Sequence, residues 1–172
     1  MVNLRYNRRS IRLKDYDYSR AGIYFITICT HNRNCLFGIV QGEIMVLNEA
    51  GFIANECWRM IPKHFPNAIL HEYIIMPNHI HGIIELKSSN VGTENFLSLR
   101  NEFQKVIPRS ICSIVRGFKI GVTKWFREDS NIKTIWQRNY YEHIIRDFLS
   151  YKDIANYIIN NPKNWIEDKL FK

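Results

Sequence analysis

The sequence predicts an α+β fold, with an antiparallel sheet of about four to five strands and helices packed on it. Three observations carry this. Runs of β-branched and aromatic residues recur, as in Gly22-Ile23-Tyr24-Phe25-Ile26-Thr27-Ile28-Cys29. Two more runs, 68–76 and 79–86, are parted only by Pro77-Asn78, which suits adjacent antiparallel strands. Elsewhere the apolar period lengthens to three and four residues, the mark of amphipathic helices.

In chain order, residues 1–20 read as a basic, extended arm. Residues 21–166 read as one domain and 167–172 as a short tail. A first strand covers 22–29, and His31-Asn32-Arg33-Asn34 is a polar turn. A short hairpin follows, bending at Gln41-Gly42. From 48 to 64, Ile53, Cys57 and Ile61 recur every four residues, so a helix is expected, stopped near Pro62. After the paired strands, 87–107 is polar and irregular and is expected to be a loop. Over 110–128, Ile111, Ile114, Val115, Phe118, Val122 and Trp125 share one helical face, opposite Arg116, Lys119 and Lys124. A strand with a bend spans 135–145. The last helix is expected from Ser150 to Asn161, started by Ser150-x-x-Asp153 and ended by Pro162.

A hydrophobic content of 46% excludes wholesale disorder. No apolar stretch is long enough to span a bilayer, and the first residues lack the apolar run of a secretory signal. The expected location is therefore the cytoplasm, with no membrane partner. The net charge is +8, and its excess is densest in the arm, where Arg5, Arg8, Arg9, Arg12, Lys14 and Arg20 face only Asp15 and Asp17. Such a cluster attracts polyanions, and nearby tyrosines offer faces on which bases can stack. Many basic proteins nonetheless bind no nucleic acid. Cys29, Cys35, Cys57 and Cys112 form no C-x-x-C pair, and reduced, mostly buried thiols are expected.

The chemistry centres on His79-Ile80-His81. On a strand, residues two apart face the same way, so two imidazoles stand together while Ile80 turns to the other face. Two neutral imidazoles suit a divalent cation but need a third donor. Scattered cysteines disfavour a thiolate zinc centre, whereas oxygen donors and open positions suit Mg²⁺ or Mn²⁺ acting on a phosphate. Tyr157 and Asn161, one helical turn apart, can supply a hydroxyl and an amide oxygen on one face. Taken singly, each of these residues has an ordinary structural use: a strand histidine, a half-buried aromatic, a helix-terminal amide.

Together with other words in the chain, they resemble the REP-associated tyrosine transposases of the HUH-endonuclease class. The matching words include Arg8-Arg9-Ser10-Ile11-Arg12-Leu13, Tyr24-Phe25-Ile26-Thr27, Cys35-Leu36-Phe37-Gly38 and Leu47-Asn48-Glu49-Ala50-Gly51. They continue with Met76-Pro77-Asn78-His79-Ile80-His81-Gly82, Trp136-Gln137-Arg138-Asn139-Tyr140-Tyr141-Glu142-His143, and Tyr157-Ile158-Ile159-Asn160-Asn161-Pro162. The resemblance runs from about Arg8 to Asp168. It implies a ferredoxin-like or RRM-like palm and a divalent metal, Mg²⁺ or Mn²⁺, on His79, His81 and Asn161. It also implies Tyr157 as the nucleophile, ahead of Tyr151, Tyr141 and Tyr140.

The implied activity is metal-dependent cutting and rejoining of single-stranded DNA near short palindromic hairpins, through a 5′-phosphotyrosine intermediate. Arg8, Arg9, Arg12, Arg116 and Lys119 are the expected phosphate contacts, and the setting is a prokaryotic nucleoid. Either a monomer or a homodimer fits. One alternative is a hairpin-binding module of the same fold that does not cut. Another is a metal-dependent phosphodiesterase using H-x-H without a covalent tyrosine. A histidine-triad hydrolase would place a further histidine where Ile83 stands.

Overall fold

In a computed structural model of the protein, residues 20–88 and 107–171 are described. The chain runs β1 (Gly22–Cys29), β2 (Gly38–Gln41), β3 (Ile44–Leu47), α1 (Glu49–Arg59), α2 (Ile61–His64), β4 (Ala68–Ile75), β5 (His79–Leu86), α3 (Ile111–Asp129), β6 (Tyr141–Ile145) and α4 (Phe148–Asn160). Four strands form one antiparallel sheet in the order β4-β5-β1-β6, while β2 and β3 pair as a separate hairpin. The expected α+β class with an antiparallel sheet is what the chain adopts. Arg8, Arg9 and Arg12 lie outside the described residues, as does most of the 87–107 loop.

Alternation along β1 and β5 divides the molecule into two layers of cover. Tyr24, Ile26, Ile28, Ile80, Ile84 and Leu86 face α1 and α3, where Trp58, Ile114, Phe118 and Val122 complete the main core. Phe25, Ile83 and Ile145 face the other way, against Ala155 and Ile158 of α4. Gly82 falls on the main-core side and lies directly under the Trp58 indole. A Cβ at that position would sit 2.3 Å from Trp58 Cζ2, so only glycine admits the ring.

Several boundaries differ from those expected. The β2–β3 bend is at Gly42-Glu43 rather than Gln41-Gly42: both residues have positive φ, as a two-residue hairpin turn demands. The helix expected over 48–64 breaks at Met60. Pro62 has no N–H to bond the Trp58 carbonyl, so it sits instead in the first turn of α2. Asn48 starts α1, its Oδ1 accepting the Gly51 N–H at 2.9 Å.

The last helix starts earlier than the expected Ser150. Asp147 caps it, its carboxylate accepting the Ser150 N–H at 2.8 Å and the Ser150 hydroxyl at 2.7 Å. Phe148 and Leu149 are exposed, so apolar periodicity could not mark this turn. All four thiols are free, but contrary to expectation none is buried: Cys35 is exposed and the others are half-buried. Among the described residues, no helix is long and apolar enough to cross a membrane.

Candidate functional site

The site lies where β5 leaves its turn, on the face covered by α4. His79 and His81 project there side by side, with ring centroids 4.4 Å apart, and both are buried. Ile80 between them enters the main core, as the strand alternation requires. Antiparallel register places Thr27 of β1 opposite His81, and its Oγ1 lies 2.8 Å from His81 Nδ1. Phe25 stacks on the same imidazole at 5.3 Å.

His79 is held by its chain neighbour. Asn78 donates through Nδ2 to the carbonyls of Arg33 (3.2 Å) and Leu170 (2.8 Å), which leaves its Oδ1 as an acceptor. That oxygen lies 2.8 Å from His79 Nδ1, so Nδ1 must carry the proton and donate. His79 Nε2 is then a bare lone pair. It is buried and has no hydrogen-bond partner.

The last turn of α4 brings the remaining groups. Tyr157 and Asn161 share a face, as their spacing predicts. Tyr157 Oη is 3.2 Å from His81 Nε2 and donates to Asp168 Oδ2 at 3.1 Å. Asn161 Nδ2 donates to the same carboxylate oxygen at 2.8 Å, which turns the amide oxygen away. Asn161 Oδ1 is also buried without a partner. Two buried acceptors with no donor between them are costly unless a cation sits there. The donor set is two imidazole nitrogens and an amide oxygen, and Asp168 adds a carboxylate. Ligand atoms of His79, His81 and Asp168 all lie within 4.8 Å of one another. These residues fit a divalent cation that accepts mixed nitrogen and oxygen ligands.

Burial shapes the electrostatics. It pushes His79 down to about 4, against the opposing pull of the Asp168 carboxylate and the Asn161 amide. It also holds His81 well below its ordinary range, reinforced by His79. Both rings are therefore neutral at physiological pH, as ligation requires. The Tyr157 phenol moves the other way, to about 12, first through burial and then through the charge and hydrogen bond of Asp168.

Two of the three competing tyrosines are occupied elsewhere. Tyr151 donates to Glu72 at 2.7 Å and lies 3.2 Å from His71, in a separate cluster over β4. Tyr140 donates to Cys112 Sγ on the α3 side. Tyr141 shares the sheet face but meets Phe25 edge-on, rather than either imidazole. Arg116 is exposed on α3. Lys119 is half-buried, and its ammonium donates to the carbonyls of Gln137 (2.9 Å) and Asn139 (3.0 Å).

Sequence reasoning missed Asp168, Thr27 and Asn78. Asn78 is visible in hindsight as the neighbour of the histidine pair. Thr27 needs the β1–β5 register, and Asp168 lies in the stretch expected to be a tail. That stretch is tied down: a short 3₁₀ turn, Trp165–Glu167, precedes it, and Lys169 and Leu170 offer their carbonyls to Arg33 and Asn78.

No family model matches the chain. It is 51% identical to an uncharacterized protein of Haemophilus influenzae, over 96% of this chain and 94% of that one. A second Haemophilus influenzae protein, described as "Putative REP-associated tyrosine transposase", is 28% identical over 85% of this chain and 73% of its own length. Among solved structures, a REP-associated tyrosine transposase bound to a REP hairpin superposes with a TM-score of 0.61 at 20% identity. That match covers 90% of this chain and 74% of the other, a likeness of fold.

Proposed function

We propose a function from one premise: the chain belongs to the REP-associated tyrosine transposases, the group to which its sequence relative and its fold point. It cuts and rejoins single-stranded DNA beside short palindromic hairpins, through a 5′-phosphotyrosine formed on Tyr157. The observation that supports this best is the pair of buried, unpartnered acceptors, His79 Nε2 and Asn161 Oδ1, beside a phenol 3.2 Å from His81. The approach of Tyr157 to His81 of its own chain supports attack in cis, by a monomer or within each subunit of a homodimer. The setting is the cytoplasm, at the nucleoid.

His79, His81 and Asn161 would hold Mg²⁺ or Mn²⁺, with Asp168 as a further oxygen donor. When bound, that ion supplies positive charge where the scissile phosphate gains negative charge. Thr27 and Asn78 fix the ring planes, so the ligands need no reorganisation. The Tyr157 oxygen attacks phosphorus as the bond to the 3′ oxygen breaks, leaving a free 3′-OH. Asp168 accepts the phenol's hydrogen bond and is placed to take its proton, which returns to the departing oxygen. Attack by a 3′-OH on the phosphotyrosine reverses each step and releases Tyr157. Single-stranded DNA as the substrate is carried over from the family resemblance; Phe25, Trp165 and Tyr157 are the rings that surround the two imidazoles.

A labelled DNA stem-loop with a single-stranded flank, incubated with Mn²⁺ and run on a denaturing gel, tests the reading. The wild type gives a protein-linked band, and Tyr157→Phe gives none while still shifting the DNA on a native gel. A band persisting in that variant moves the role to another tyrosine. Cut product without any protein-linked band indicates a hydrolase.

A further inference from the structure

Two clefts of about 730 Å³ each lie outside the site, and they share one residue. One runs along the outward face of α3, lined by Arg116, Lys119, Lys124, Arg127 and Arg138, with Glu128 its single acidic member. The other is lined by His31, Arg33, Gln137, Arg138 and Phe171. Arg138 belongs to both.

The second cleft adjoins the site through specific contacts. Arg33 offers its carbonyl to Asn78, the residue that orients His79. The Phe171 ring meets Trp165 at 5.2 Å, and Trp165 meets His79 at 5.8 Å. At the end of β1, the Cys29 carbonyl accepts the Gln137 N–H at 3.0 Å, and Lys119 donates to the Gln137 carbonyl at 2.9 Å, so the strand end, the loop and α3 are neighbours.

The first cleft carries charge that the described residues leave unanswered. The side chains of Arg116, Lys124, Arg127 and Arg138 form no hydrogen bond or ion pair with a described residue. Lys119 differs. Its ammonium is spent on the Gln137 and Asn139 carbonyls, so it braces the loop that presents Arg138. On α3 the free cations repeat at helical spacing, and Arg116 to Arg127 spans about 16 Å at the rise of an α-helix. A straight row of that length matches several phosphates of a regular duplex strand. The inner cleft has fewer cations and two exposed flat rings, His31 and Phe171, which suits an unpaired strand whose bases can stack.

We infer that the outer face of α3 grips the duplex stem of the hairpin by its phosphates, and that Arg138 hands the unpaired strand across the Arg33–His31–Phe171 cleft to the His79–His81 centre. This rests on the proposed reaction, and adds a division of labour between stem and strand with Arg138 at the junction. Backbone contacts are indifferent to sequence, so any DNA stem-loop with a single-stranded flank serves as a probe.

The test compares binding of that stem-loop with binding of the flank alone, across a salt series, using the full chain. Arg116→Ala/Arg127→Ala is expected to weaken stem-loop binding at least about tenfold and to lower the logarithmic salt slope by about two, leaving the flank unaffected. Arg138→Ala weakens both probes and lowers each slope by about one. Lys63→Ala/Lys87→Ala removes as much charge from exposed positions away from the clefts and changes neither. If the two double variants act alike, or the stem-loop slope does not move, the inference is overturned. The reaction itself is judged separately by the Tyr157 adduct, which can form even where this path is wrong.

Discussion

The two faces of β5 differ in what covers them. On one, Ile80, Gly82, Ile84 and Leu86 lie against α1 and α3, and the Trp58 indole closes directly on Gly82. On the other, Ile83 meets the apolar side of α4, while His79 and His81 meet its last turn and the stretch beyond it, where Tyr157, Asn161 and Asp168 converge beside the Trp165 ring. One eight-residue strand thus separates stability from chemistry by the pleat alone. Buried polar groups can be held unpartnered on one side because the other is densely packed.

A one-residue shift along β5 should show the contrast most strongly. Ile80→Ala is expected to cost about 2–5 kcal/mol in denaturant unfolding, while folded molecules keep Mn²⁺-dependent adduct formation. His79→Ala should do the reverse, removing the adduct with little change in stability in the metal-free protein. If both substitutions lower stability and activity in parallel, the faces are not independent.

Thr27→Val retains shape but removes the partner of His81 Nδ1. Losing such an outer partner costs roughly 10–100-fold in metal affinity, which titration calorimetry with Mn²⁺ reads directly, and the melting temperature should hold. An unchanged affinity would mean that Thr27 does not orient the ring. Gly82→Ala probes the opposite face: overpacking against Trp58 should cost about 1–3 kcal/mol. Its folded fraction should bind Mn²⁺ normally.

The smallest effect concerns the phenol. Asp168→Asn removes the carboxylate charge that helps hold Tyr157 at about 12, while burial, the larger cause, remains. In the metal-free protein the phenolate absorbance of Tyr157, isolated by difference with Tyr157→Phe, should therefore appear at lower pH than in the wild type. The sign follows from the anion: a neighbouring negative charge disfavours the phenolate, and its loss favours it. A titration that stays in place or moves upward removes Asp168 from the electrostatics of the nucleophile.

Much of this was legible in the chain. Strict alternation through His79-Ile80-His81 puts both imidazoles on one face whatever the tertiary context, and the i, i+4 spacing of Tyr157 and Asn161 does the same on the helix. The antiparallel class follows from β-branched runs joined by short turns. Boundaries were less legible: α4 begins on exposed Phe148 and Leu149, which periodicity assigns to neither core nor surface, and Pro62 restarts a helix that the apolar pattern had carried through.

What the sequence determined by itself is therefore local: which residues share a face, and that two rings can stand beside one another. What only the tertiary structure decided is which distant groups reach them. Thr27 is 54 positions from His81, and Asp168 lies beyond the last helix in a stretch with no period to read. Such pairings depend on strand register and on how the chain end folds back. They leave no trace in spacing, because no backbone geometry links residues so far apart until the sheet has formed.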